Sequence, residues 1–309
     1  MALTTGAATG APSLRAVRRR YSEDVVKAVL ALCALVSVAT TVGIVLALLL
    51  PALEFFSEIS VVDFLTGTEW APLFEPSHFG VIPLIVGTLS VTFWACVVCM
   101  PFGLGAAIYL SEYARPRVRA VLKPALELLA GIPTVVYGYF ALTFVTPLMR
   151  DLGLEAEVFN ALSAGLVMGV MLIPTVASLS EDAMSAVPQA LRQGSYALGA
   201  NKMRTTMRVV FPAAISGITA AVVLGLSRAV GETMIVALAA GTRAQVVTDP
   251  TMEGQTMTGF IAQAASGDQQ TGSVGYESLF AVAAVLFALT FLMNIVSIRL
   301  VRRWREVYE

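Results

Sequence analysis

An arginine and a glutamate four residues apart, Arg228 and Glu232, fall inside the apolar run 213–241. Arg228 lies 15 residues beyond Ala213, about 22 Å along a helix at 1.5 Å per residue. A charge at that depth costs on the order of 2.5–3.5 kcal/mol even on the lenient insertion scales. Both side chains must therefore face protein or water. In one continuous helix they share a face, one turn apart. On these residues alone two readings stand: an ion pair that holds a bundle together, or the lining of a path for a hydrated, charged solute. The second has a chemical rationale. A guanidinium is a planar fork of donors matched to the oxygens of an oxyanion, and it keeps its charge at any working pH. A carboxylate beside it orients the guanidinium, or accepts a proton from an oxyanion that still carries one.

The segment GIPTVVYG, Gly131 to Gly138, is a second irregularity inside an apolar run. Pro133 leaves the carbonyl four residues earlier without its donor and predicts a kink. Irregular backbone at membrane depth is tolerated only where protein or water covers it. Tyr137, 13 residues beyond Pro124, falls close to the depth of Arg228, with Thr134 a turn away. A packing kink with no role in transport is the alternative. Read back from Arg228, Gly225, Ala221 and Gly217 form a small-residue stripe that lets another helix approach closely.

A polar and basic island, PQALRQGSYALGANKMRTTMRVVFP, runs from Pro188 to Pro212 between two apolar runs. Pro188 suits a first helical position, Gly199 the left-handed residue that ends a helix, and Asn201 the cap that starts another. Leu191, Tyr196 and Leu198 alternate with Arg192, Gln193 and Lys202, so one side of this helix–turn–helix is expected to be apolar and the other charged. An amphipathic connector resting on lipid headgroups would satisfy that pattern too.

These residues need a scaffold, and composition says which. The chain is 57% hydrophobic and 13% charged, with mean hydropathy +0.79, far from the roughly 45–50% apolar and about 25% charged of soluble domains. The fold class is an all-α integral membrane protein. Six apolar runs, near 25–53, 81–110, 124–149, 159–179, 213–241 and 279–300, each reach the roughly 20 residues that cross about 30 Å of hydrocarbon. Residues 1–24 read as a basic, disordered cytoplasmic tail, and residues 25–309 as one transmembrane domain. Within it lie the first helix 25–53, an outer amphipathic segment 54–80, core helices 81–300 and the loop 180–212. The outer segment has no Lys or Arg, and its Phe55, Phe56 and Trp70 are expected at the lipid interface. Seventeen of the twenty Lys and Arg fall in the tail with Lys27 just beyond it, in 111–123, in 180–212 and at the C-terminal end. Six spans put all four on one side, the cytoplasm, with both termini inside.

Four stretches, together with the island through Gly199 and Pro212, resemble one family. They are GIPTVVYG, LGLSRAVGETM (224–234), FGVIPLIVGTL (79–89) and IYLSEYARPRVR (108–119). All look like the membrane permeases of the phosphate ABC importer, the Pst system, and the segment after the first span looks like the PstC member. The island is similar to the cytoplasmic coupling loop of ABC importer permeases, where Gln193, Gly194 and Ser195 stand in place of the usual Glu-Ala-Ala. The resemblance implies a type I importer fold, a PstA-type permease as heterodimer partner, a PstB-type ATPase dimer below and a PstS-type phosphate-binding protein above. It implies that Arg228, Glu232, Thr134 and Tyr137 line the pathway and that Gly131, Pro133 and Gly225 shape it. ATP and Mg would sit on the partner ATPase, and this chain is expected to need no cofactor. Glu232 then reads as the acceptor of the proton that hydrogen phosphate carries and sulfate lacks.

Other classes find less support. No GxxxxGK[ST] loop is present, so the chain is not the ATP-hydrolysing motor. Cys33, Cys96 and Cys99 all lie in apolar runs and read as packing residues, and no cluster suggests a metal site or nucleophile. Basic clusters interleaved with aromatics are missing, so nucleic acid is not an expected partner. A permease for sulfate, molybdate, an amino acid or a sugar remains as a rival, as does an ATP-independent channel or sensor.

Overall fold

The computed structural model describes residues 21–304 except 73, 268, 269 and 271. Most of the expected N-terminal tail lies outside the described residues; residues 21–24, expected within it, already belong to the first helix. The chain divides into two compact units, one ending at Ala47 and one beginning at Leu48. Helix α1 (Tyr21–Glu58) is apolar on every side, and within the first unit Leu30, Leu35 and Val38 are exposed. A helix hydrophobic all round belongs in a nonpolar surrounding.

The second unit opens with a correction. Residues 54–80 do not lay their aromatic rings out for the lipid interface. Helix α2 (Val61–Thr66) and a short antiparallel hairpin, β1 (Trp70–Ala71) with β2 (His78–Phe79), fold them into a small aromatic core. Phe55 and Phe64 are fully buried, and Trp70 meets Phe260 edge-on at 4.9 Å between centroids. The hairpin closes because Gly67 and Gly80 touch: a Cβ on Gly80 would lie 2.3 Å from the carbonyl carbon of Gly67.

The bundle follows. Helix α3 (Ile82–Ile108) runs into a π-helical turn, 109–113. Next come α4 (Pro116–Ala130), α5 (Thr134–Phe140), a π turn at 141–145 and α6 (Thr146–Asp151). Helix α7 (Ala161–Ser185) packs along α3 and supplies the core residues Met168, Met171 and Leu172. The polar island folds as α8 (Gln189–Ala197) and α9 (Lys202–Thr205), continuing through a π turn at 206–210 into α10 (Phe211–Ala213). Helices α11 (Ile215–Val230), α12 (Met234–Ala239), α13 (Met257–Ser266) and α14 (Val274–Trp304) complete the fold.

Four helices are long and apolar enough to cross a membrane alone, and two bent pairs would raise the number to six. The bends revise two expected spans. Span three is not continuous from Pro124: α4 and the stretch from Thr134 to Asp151 meet at 85° across 131–133. Pro133 cannot donate, and the chain leaves the helix there altogether. Span five is also broken. Its entry bends by 71° after Ala213, and α11 ends at Val230, well before the expected residue 241. Helix α13, too short to register as a span by hydropathy, buries Met257 and Phe260 against its neighbours.

Candidate functional site

Helix α11 reaches α7 through the small-residue stripe expected of it. A Cβ on Gly217 would lie 2.5 Å from the Ala183 Cβ, and one on Gly225 3.1 Å from Val176. That approach brings the last turn of α11 beside the middle of α7. Arg228 lies there with its side chain exposed, and its Nη1 donates to Thr175 Oγ1 at 3.3 Å. No carboxylate pairs with it among the described residues.

Glu232 is not its partner, which corrects the expectation of two charges one turn apart on one face. Because α11 ends at Val230, Glu232 falls in the break before α12 and is nearly buried. Its Oε1 accepts from the amides of Met234 at 3.1 Å and Ile235 at 3.4 Å, while its carbonyl accepts from Thr258 Oγ1 at 2.6 Å. A carboxylate on the free amides of a helix start is well satisfied. The structural ion pair therefore falls away, and Arg228 is left with one hydroxyl.

The GIPTVVYG segment performs its own repair. Tyr137 is buried, and its hydroxyl donates to the Leu129 carbonyl at 2.9 Å, the acceptor that Pro133 leaves without a helical donor. Its phenol also lies within electrostatic reach of Arg228. Thr134 opens α5, half-buried, with no hydrogen bond to Arg228, and Gly131 and Pro133 are exposed in the break. Thr175 is the residue that sequence reasoning missed. A lone threonine after Pro174 in an apolar helix carries no signal until α11 is packed against it.

The polar island departs from its expected two-sided pattern. Arg192 turns inward: it is buried, pairs with Glu112 at 2.9 Å and donates to the Met184 carbonyl at 2.8 Å. It thereby ties α8 to the end of α7 and to the π turn after α3. Leu198 points outward, 90% exposed, with Gln193 and Gly194 also exposed. Ser195 Oγ lies 2.9 Å from Thr205 Oγ1, linking α8 to α9. Gly199 adopts φ +79° and Asn201 caps α9 through the Arg204 amide at 2.8 Å. Pro212 is exposed at the 71° bend into α11.

A second buried charge joins α4 to α7. Glu181, with no exposed surface, accepts from Arg119, from Lys123 Nζ at 2.7 Å and from Ser185 Oγ at 3.2 Å; Lys123 also reaches Asp182 at 3.1 Å.

Residues 99–306 match the model of the family described as binding-protein-dependent transport system inner membrane component. The chain belongs to that family. Among its relatives, a probable ABC transporter permease, YqgH of Bacillus subtilis, is 36% identical over 277 residues, 89% of each chain. The phosphate transport system permease proteins PstC of Xylella fastidiosa and PstC 1 of Mycobacterium tuberculosis are 31% and 33% identical, covering 78% of this chain and 78% and 82% of theirs. Among solved structures, the permease fold is shared with the bacterial alginate ABC transporter, solved with an alginate pentasaccharide-bound periplasmic protein. The TM-score is 0.62 at 14% identity, covering 92% of this chain and 98% of that one. The inward-facing MetNI methionine ABC transporter gives a TM-score of 0.55 at 20% identity, over 74% and 95%. These two matches concern the fold alone. The permease is thus an integral membrane transport component of the ABC importer class and similar to PstC proteins.

Proposed function

We propose that the permease is the PstC-type subunit of an importer that moves inorganic phosphate into the cytoplasm by alternating access. The observation that carries this reading is Arg228: a guanidinium in the last turn of an apolar helix, exposed on the bundle surface, bonded to one hydroxyl and, among the described residues, to no carboxylate. Left so in hydrocarbon it would be costly. Facing a water-filled path it offers its remaining donors to an oxyanion. The relatives named as phosphate permeases supply the cargo.

The rest of the machinery follows from the exposed surfaces. Val136, Tyr139 and Phe140 of α5 and Leu224 of α11 are exposed, and a PstA-type permease would cover them and close the path opposite Arg228. Leu198 would dock in a PstB-type ATPase dimer carrying ATP and Mg, and a PstS-type phosphate-binding protein would deliver from the outer face. Both termini would be cytoplasmic. Glu232 sets the turn from α11 to α12, since its carboxylate is committed to backbone amides.

Replacing Arg228 with Gln in the assembled transporter should lower uptake of labelled phosphate at least ten-fold without loss of assembly. Uptake at the parental rate would remove Arg228 from the pathway. Parental uptake that sulfate or molybdate suppresses as strongly as excess phosphate does would instead change the cargo.

A further inference from the structure

We propose that the π turn 109–113 is the socket of the coupling unit α8–α9, and that Arg192 and Glu112 are positioning residues that make α8 move as one body with the adjoining ends of α3 and α7. The proposal rests on the reading of the chain as an ATP-driven importer subunit. Arg192 is the one residue of α8 buried outright. Its side chain and that of Glu112 are 8% and 5% exposed. A guanidinium withdrawn from water is tolerated only where its donors are used. Nη2 donates to Glu112 Oε1 at 2.9 Å and to the Met184 carbonyl at 2.8 Å, and Nη1 donates to the Val187 carbonyl. Met184 lies in the last turn of α7 and Val187 just beyond it, where carbonyls run out of helical amides to pair with. One side chain thus fastens α8 both to α7 and to the turn that follows α3.

The next residue of the π turn holds α9. Lys202 Nζ lies 5.0 Å from the centroid of the Tyr113 ring, within the range of a cation–π contact. Ser195 and Thr205 join α8 and α9 to one another through their hydroxyls at 2.9 Å. Met184, Val187 and Val210 belong to a small apolar core, against which Ile108 of α3 and Leu191 of α8 pack. The coupling unit therefore sits on an apolar seat that α3 and α7 share, and its two helices are gripped by neighbouring residues of one turn.

Apolar burial is non-directional, so that seat alone would leave α8 free to slide or tilt. A planar fork shared among three acceptors would not. The apolar core supplies contact area and the ion pair supplies direction. A displacement of α8 is then delivered to α3 and α7 instead of being lost in the connection 186–188. Helix α7 carries it on, since its Thr175 accepts the Arg228 hydrogen bond. A π turn inside a helix frequently marks a functional position, and this one sets a carboxylate and an aromatic ring against the two helices that would meet the ATPase.

The test places Glu112→Cys and Arg192→Cys in a chain whose three native cysteines are replaced by Ala, assembled with its partner subunits. With the ion pair gone, uptake of labelled phosphate per ATP hydrolysed should fall at least five-fold while hydrolysis persists. A short bis-methanethiosulfonate reagent that joins the two sites should restore most of that ratio, and reduction should abolish it again. A reduced variant with the parental ratio overturns the proposal. So does a linked transporter that stays uncoupled or stops, the latter because α8 would then have to move against the π turn. Linking should also be equally efficient at rest and with ATP and vanadate trapped, and a several-fold difference overturns the single body. This last readout needs no cargo, so failure of the phosphate assignment, seen as no uptake by the parental transporter, stays a separate outcome. If the double variant does not assemble, Arg192→Lys serves: the charge stays and the fork is lost, so uptake per ATP should fall several-fold, and an unchanged ratio overturns the proposal.

Discussion

Arg228 and Tyr137 lie near one another and do different things. The tyrosine hydroxyl is spent on the Leu129 carbonyl, while the guanidinium has donors to spare. Tyr137→Phe should therefore lower the stability of the purified assembly by about 1 kcal/mol, the usual worth of one hydrogen bond. The Ile132 amide at 3.3 Å keeps Leu129 from being fully orphaned, which holds the loss to that range. A fall of a few degrees in Tm with most of the transport retained is the expected result in a thermal-shift assay paired with uptake. The Arg228→Gln substitution should do the reverse, sparing Tm and removing uptake. A Tyr137→Phe variant that keeps its Tm and loses transport would make the phenol a pathway group.

At the scale of elements, the coupling unit α8–α9 is set by one backbone conformation. Gly199 ends α8 at φ +79°, where a side chain costs roughly 1–2 kcal/mol. Gly199→Val should tilt α8 and withdraw Leu198 from its docking position. Transport should fall at least ten-fold while ATP hydrolysis by the partner persists; a parallel fall of both would mean failed assembly instead of uncoupling. Space around the glycine is open, so the effect would come from backbone strain and not from a clash.

For the whole molecule, the apolar surface is the informative quantity. Tyr139 is 66% exposed and Phe140 46%, on the part of α5 that the bundle leaves uncovered. Lipid would cover such rings, and so would a permease partner. Tyr139→Cys should react with a lipophilic maleimide when the permease is expressed alone and be protected several-fold when its permease partner is co-expressed. Equal labelling would place the partner elsewhere.

The residues alone determined that this chain lives in a membrane, because hydropathy and span length are additive along the sequence and need no knowledge of contacts. The family was legible too, in GIPTVVYG, LGLSRAVGETM and the spacing of Gly199 and Pro212. Glycines and prolines carry that signal since each imposes a backbone constraint wherever it stands. Pro133 announced a kink, though its size, 85°, depended on how α4 is anchored to α7. What only the tertiary structure decided was which polar groups satisfy one another. Glu232 left Arg228 for the amides of α12, Arg192 turned inward to Glu112, and Glu181, silent in the sequence, became the buried anchor of two cations. Each outcome turns on where a helix stops or which helix it packs against. A hydrogen bond needs its partner within about 3 Å, and sequence separation says nothing about that distance.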